Sequence, residues 1–186
     1  AYATIAASDA GLLSSAAAPI VLCAKGAEEL AGIAPGLAEI GLMLPATPLH
    51  LLLWHEAAGR PAGTDWLQPA DELLLVMTSA NPHGEPLVIG NDEALVRLSG
   101  IADAYLLHDR AIVVRCDDSV LRSGPSLIRR ARGYVPVPVA LKQNGPTVLA
   151  LGGYLKNTVC VMKGKEAFLS QHIGGLENAA AIGFLE

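Results

Sequence analysis

An α/β fold built on a mixed, twisted sheet with flanking helices is what the sequence predicts. Three observations lead there. Short apolar runs bounded by Gly and Pro recur along the chain and read as buried strands. Segments between them carry helix start and stop signals. Past residue 100 the strand-like runs follow one another with no helix between, which a purely parallel sheet does not allow. The 186 residues suffice for one ordinary domain, or for one domain and a piece of another.

The first seventeen residues are Ala-rich and expected to be helical, with a break near Pro19. Pro19 to Ala24 is apolar and partly β-branched, hence a strand. Glu28 to Ile33 is at most a short helix, stopped by Pro35-Gly36. Ile40 to Leu44 reads as a second buried strand, ended by Pro45. Thr47-Pro48 then opens a helix, since Thr caps well and Pro is tolerated at the first helical position. That helix should run to Ala58 and stop at Gly59, with a polar loop over 59–71. Leu73 to Met77 reads as a buried strand. Asn91 or Asp92 should cap a helix ending near Gly100. Strands are expected at 104–107, 111–115, 119–122 and 126–130.

A change of composition follows. Val135 to Val139 alternates with proline, and Lys142 to Pro146 reads as a linker. The expected division is a first domain over 1–140 and a second beginning at 147. In the second, Thr147–Leu151, Thr158–Met162 and Glu166–Ser170 read as strands, the last two flanking Lys163-Gly164-Lys165 as a hairpin. Residues 176–186 read as a helix cut off in progress, so the chain is expected to be a fragment of a longer protein.

Composition narrows the function. The chain is 52% hydrophobic but only 4% aromatic, so Ala, Leu, Val and Ile must build the core. A net charge of −5 argues against bulk binding to nucleic acid or an anionic membrane. No apolar run reaches the roughly 18 residues of a membrane span, and the N-terminus has no basic leader. Cys23, Cys116 and Cys160 are odd in number and lack C-x-x-C spacing. They read as core residues in a reducing cytoplasm rather than a disulfide framework or zinc site.

Five polar runs stand at the ends of apolar ones. They are Thr78-Ser79-Ala80-Asn81, His108-Asp109-Arg110, Arg115-Cys116-Asp117-Asp118-Ser119, Arg122 with Pro125-Ser126, and Arg129-Arg130-Ala131-Arg132. Ligands collect where such loops converge at strand ends. Hydroxyls and arginines together suit a polyphosphate, because Arg pairs bidentately with phosphate oxygens. Asp117 and Asp118 either hold Mg²⁺ or orient the arginines. The same runs also read as polar turns with surface ion pairs, and the arginines as a protected strand edge or an RNA patch lacking interleaved aromatics. His50 and His55, five apart on one helix, are poorly spaced for a shared metal. No nucleophile elbow, H-E-x-x-H or P-loop is present, so no catalytic residue is assigned. Gly152-Gly153-Tyr154-Leu155-Lys156-Asn157 is either a ligand-approached loop or a plain turn.

Seven runs stand in a telling order. They are Leu-Pro-Ala-Thr-Pro-Leu-His (44–50), Thr-Ser-Ala-Asn-Pro-His-Gly-Glu-Pro (78–86), Leu-Leu-His-Asp-Arg (106–110) and Arg-Cys-Asp-Asp-Ser-Val (115–120). Arg-Arg-Ala-Arg-Gly-Tyr-Val-Pro (129–136), Leu-Ala-Leu-Gly-Gly-Tyr-Leu-Lys-Asn-Thr (149–158) and Leu-Ser-Gln-His-Ile-Gly (169–174) follow. Together they resemble the HypF family of hydrogenase maturation carbamoyltransferases over nearly the whole chain. The resemblance implies a YrdC-like adenylation domain, lacking its N-terminal part, over 1–140. From 147 it implies the first strands of an ASKHA-like carbamoyl-transfer domain. It implies formation of carbamoyl-adenylate from carbamoyl phosphate, or the carbamate derived from it, and ATP with Mg²⁺. The carbamoyl group then passes to the C-terminal cysteine of a partner, HypE. By the same resemblance Ser79 and Asn81, with Thr78, match a nucleotide-binding run, Arg122 and Ser126 an Arg…Pro-Ser segment, and Thr47 and His50 a run near the pocket. His108, Asp109, Arg110, Arg115, Asp117, Asp118 and Ser119 form the expected supporting polar shell. Zinc and the transfer-domain metal are expected only outside this chain. Ala46, Leu51, Gly153-Tyr154 and Gly175 depart from the family pattern, where Tyr, His, Ala-Glu and Asp are expected. Two rival readings are a threonylcarbamoyl-AMP synthase for tRNA modification, against which residues 147–186 speak, and a noncatalytic RNA-binding module.

Overall fold

The computed structural model describes residues 2–68, 73–124, 126–177 and 179–185. Two sheets organise them. The first centres on β2 (Ile20–Lys25), the apolar run after Pro19. Antiparallel β3 (Glu39–Leu42) takes one side of it, pairing Val21 with Leu42 through to Ala24 with Glu39. The other side is shared. Parallel β4 (Val120–Arg122) pairs with residues 20–22, and the two-residue β1 (Ala3–Thr4) pairs antiparallel with Ala24 and Lys25. Antiparallel β5 (Ser126–Arg129) closes the row beyond β4. The sheet is mixed, as the sequence predicts.

Period-2 alternation sends Val21 and Cys23 inward, where they are 0% and 1% exposed. They pack on Leu13 of helix α1 (Ala7–Leu13), with Ala3, Leu12 and Leu42 around them. Burial pushes the Cys23 thiol up, and Asp9 and Glu39 add to the shift, so this cysteine is an inert core residue. The Ala-rich start is thus a strand and a short helix rather than one helix over 1–17. Ser14 and Ser15 end it early by returning their hydroxyls to the carbonyls of Ala10 and Leu12. Residues 28–33 form turns and no helix.

Helix α2 (Pro48–Ala57) follows its sequence signals. Thr47 Oγ1 accepts from the His50 N–H at 3.2 Å, and Gly59 stops the helix at φ +82°. A single 3₁₀ turn (Asp65–Leu67) sits in the loop after it. Helix α3 (Asn91–Arg97) is capped by Gly90 rather than by Asn91 or Asp92. Glu93 reaches back to the N–H groups of Ile89 and Gly90 at 3.4 Å and supplies the missing side-chain cap.

Three expected strands do not form. Residues 73–77, 104–107 and 111–115 are not paired in either sheet. Most of their apolar side chains are exposed, from Leu75 at 40% to Val113 at 85%, with Leu73 and Tyr105 half-buried. A strand needs a neighbour for its backbone groups, and none of these runs makes a ladder with a described strand.

The second sheet is a long antiparallel pair, β6 (Val139–Leu151) and β7 (Val159–Leu169). The expected linker at 142–146 lies inside β6, and Lys163-Gly164-Lys165 lies inside β7 rather than in a hairpin turn. Gly164, at φ +64°, stands opposite Gly145, with the register shifting on either side of that pair. A bulge and a turn ask for the same glycine chemistry, so the local signal was ambiguous. The turn that joins the strands is 152–158. Helix α4 (Ala179–Leu185) ends the described chain. Among the described residues no helix is long and apolar enough to cross a membrane.

Candidate functional site

Two adjoining cavities gather most of the chemistry. The larger, about 700 Å³, opens between the start of α2, the extended run 73–79 and the loop before β4. Thr47, His50, Thr78 and Ser79 line it, with Asp117, Asp118, Arg129 and Arg132 opposite. Its remaining walls are apolar, among them Leu42, Leu53 and Trp54. A mostly apolar cleft with a few converging polar groups is the usual form of a small-molecule site.

Local chain geometry sets each group. The α2 cap fixes Thr47 beside His50, whose Nδ1 accepts from the Ala46 N–H at 3.2 Å. Ser79 donates to Asn81 Oδ1, while Asn81 Nδ2 donates to the carbonyls of Pro82 at 3.0 Å and Glu85 at 2.9 Å. Asn81 therefore shapes the turn that presents Ser79, and it lines only the smaller cavity.

On the opposite wall, acids and arginines pair. Asp118 Oδ1 accepts from Arg132 Nε at 2.7 Å, and Arg132 Nη2 also donates to the Ala18 carbonyl at 2.9 Å. Asp117 Oδ1 lies 3.7 Å from Arg129 Nη1, too long for a hydrogen bond. Of the two alternatives the sequence left open for these acids, the pairing suits orientation of arginines. Among the described residues no group of three or more His, Cys, Asp or Glu is placed to hold a metal ion. Cys116 sits on the same wall. Desolvation and the neighbouring Asp117 push its thiol up, so it is no ready nucleophile.

The smaller cavity, about 230 Å³, shares Ser79, Leu87, Asp117 and Arg129 with the larger one. Arg115 lines it while its Nε donates to the Leu87 carbonyl at 2.7 Å. The loop after β7 closes it through His172, whose Nδ1 is 2.9 Å from Asp117 Oδ2.

The other expected residues lie elsewhere. Arg122 is gripped by Glu39, with Nε 3.0 and 3.1 Å and Nη2 2.9 Å from its carboxylate oxygens, and lines neither cavity. Ser126 is exposed on β5, opposite Arg122. His108, Asp109 and Arg110 lie outside both cavities, and His108 offers only its backbone carbonyl, to Asn91 at 2.8 Å. Pro125 falls outside the described residues. Ser119 is fully buried, bonded to the Ala131 N–H at 2.8 Å and the Arg132 carbonyl at 2.9 Å, so it stitches the wall together. His172 had no role in the sequence reading. Its partner is 55 residues away, and its only signal was a place in the Leu-Ser-Gln-His-Ile-Gly run.

Comparison with known proteins finds matches over nearly the whole chain. Residues 1–131 match the Sua5/YciO/YrdC family model, described as telomere recombination, and residues 143–186 match the HypF Kae1-like domain model. Carbamoyltransferase HypF2 of Cupriavidus necator is 58% identical over 188 residues, covering 96% of this chain and 23% of the relative. Carbamoyltransferase HypF of Rhizobium leguminosarum bv. viciae is 56% identical over 177 residues, 93% of this chain and 22% of its own. A crystal structure of full-length HypF in a phosphate- and nucleotide-bound form superposes with a TM-score of 0.84 at 42% identity, covering 98% of this chain and 28% of that one. HypF of T. kodakarensis superposes at 0.82 and 35% identity, over 99% and 23% of the two chains. The chain thus spans about a quarter of the proteins it matches.

Proposed function

The chain belongs to the HypF family, and from that premise we propose that it forms part of an ATP-dependent carbamoyltransferase of hydrogenase maturation. Its larger cavity is the nucleotide site. The observation that carries this reading is the convergence of Thr47, His50, Thr78 and Ser79 on one side with Arg129 and Arg132 on the other. Neutral donors and guanidinium groups face each other across a cleft large enough for a nucleotide.

In this reading carbamate, derived from carbamoyl phosphate, attacks the α-phosphorus of ATP. A P–O bond forms to the carbamate oxygen as the bond to pyrophosphate breaks, leaving carbamoyl-adenylate. The arginines and hydroxyls stabilise charge on the phosphate oxygens as the transition state develops. Mg²⁺ belongs to this chemistry as the counterion of ATP. Asp117 and Asp118, already facing arginines, suit holding those arginines better than ligating the metal. The carbamoyl group then passes to the C-terminal cysteine of HypE. We place the adenylation domain over 1–140, the start of the transfer domain from 147, and the reaction in the cytoplasm.

Both rivals have less support. A threonylcarbamoyl-AMP synthase has no need of the segment at 143–186 that matches a HypF domain. An RNA patch needs several free arginines on one face, yet Glu39 holds Arg122, Asp118 holds Arg132, and Arg130 donates to the carbonyls of Tyr134 and Val137. The test is calorimetric titration of the intact protein with ATP. Arg129→Ala should weaken binding roughly tenfold to a hundredfold, the loss of one charge-assisted hydrogen bond. An intact wild type that binds no ATP defeats the reading.

A further inference from the structure

Asp117 stands where the two sheets' regions meet. Its Oδ2 is held by His172 Nδ1 at 2.9 Å, while its Oδ1 lies 3.7 Å from Arg129. The tight contact comes from the loop after β7, and the loose one from β5. The loop that carries His172 is tied to the β6–β7 turn. Ile173 donates to the Asn157 carbonyl at 2.9 Å, and the Asn157 N–H donates to Gly174 at 2.7 Å. Asn157 itself is 2% exposed. The histidine's Nε2 is sealed from solvent, and among the described residues the ring's one hydrogen-bond partner is Asp117. Nδ1 is then the nitrogen that carries the proton of this contact, since the ionised carboxylate it faces can only accept.

We propose that His172 is a positioning residue for phosphate recognition, acting through Asp117 on Arg129. A carboxylate free to swing would fold onto the guanidinium in a bidentate pair and withdraw it from the cavity. Held by His172, Asp117 orients Arg129 without occupying its fork, and the guanidinium stays available to an incoming phosphate. A residue of the second region thereby acts on the larger cavity, whose own lining comes from the first. This inference rests on the larger cavity being the ATP site.

Four forms of the intact protein test it: wild type, His172→Ala, Asp117→Ala and the double variant, with His172→Asn as the conservative replacement. Asn carries an N–H donor close to the position of Nδ1. Calorimetry with ATP should show His172→Ala weakened about three- to tenfold, a coupling of the size usual between linked residues. His172→Asn should restore most of the affinity. In the Asp117→Ala background, His172→Ala should add nothing. In turnover, KM for ATP should rise while kcat changes less. If His172→Ala lowers the melting temperature but leaves ATP affinity unchanged, the contact is only a dock and the proposal is wrong. Additive losses in the double variant overturn it equally. A wild type that binds no ATP removes both this inference and the nucleotide reading, whereas a wild type that binds and a His172→Ala variant that binds as well removes this inference alone.

Discussion

The run at Ile20–Lys25 and the run at 73–77 look alike as sequence and behave as opposites in the structure. Both are short, apolar and bounded by turn residues. The first is paired along both edges and buries Val21 and Cys23 completely or nearly so. The second forms no strand ladder among the described residues and leaves Val76 75% exposed. The contrast extends to what surrounds each. The first sheet is held by apolar burial around Leu13, Val21, Cys23 and Leu121. The stretch from 79 to 115 is held by polar ties. Asn81 closes its turn, Arg97 links Glu93 and Glu85, Asn91 reaches the His108 carbonyl, and Arg115 reaches that of Leu87. Apolar composition nominates a strand, but an available neighbour decides whether it becomes one.

The sharpest test of that contrast truncates one aliphatic side chain in each setting. Leu121→Ala, at a residue 1% exposed, should lower unfolding free energy by about 2–5 kcal/mol in urea titration. Val113→Ala, at 85% exposure, should stay within about 0.5 kcal/mol. Equal losses would mean that the exposed run is packed in solution, and the comparison would collapse.

A smaller effect should appear on the polar side. Arg97→Ala removes the hub joining Glu93, Glu85 and the Pro86 carbonyl. It should cost roughly 1 kcal/mol and show as faster amide exchange across 79–98, with the amides of β2 unchanged. Loss of protection in β2 would show that the two regions unfold as one.

The smallest effect is a pH dependence. Burial raises the Glu93 carboxyl, but hydrogen bonds from Arg97, Ile89 and Gly90 outweigh it and leave the net shift downward from 4.5. A lowered folded value means the stabilisation is present above 4.5 and disappears as pH falls through the folded value. Wild type should therefore exceed Glu93→Gln by a few tenths of a kcal/mol, about the worth of an exposed pair, at neutral pH. The two should converge in acid, and a difference that persists at low pH would assign it to packing instead.

Local chemistry made much of this fold readable. Thr47-Pro48 and Gly59 announced α2 at both ends, and β2 through β5 stand close to where their apolar runs put them. What stayed hidden depends on distant partners. Nothing near Lys163-Gly164-Lys165 tells a turn from a bulge until Gly145 is found across the ladder. The site divides in the same way. Thr78, Ser79, Asp117 and Asp118 were recognisable from residue type and their place after apolar runs, Thr47 and His50 only through the family resemblance, and all six line one cavity. Arg122 looked equivalent, but the acid that holds it lies 83 residues away in sequence. His172 closes its cavity from 55 residues beyond its partner, a distance no motif spans.

The grip of Glu39 on Arg122 has one more consequence. The two side chains meet across the face of β2, from β3 on one edge and β4 on the other. Glu39 is thus a tethered competitor, present at a local concentration on the order of millimolar or above. Any anion seeking Arg122 must displace it. A simple anion at micromolar level loses that contest, so Arg122, outside both cavities, works as a tie across the sheet rather than as an open anion site.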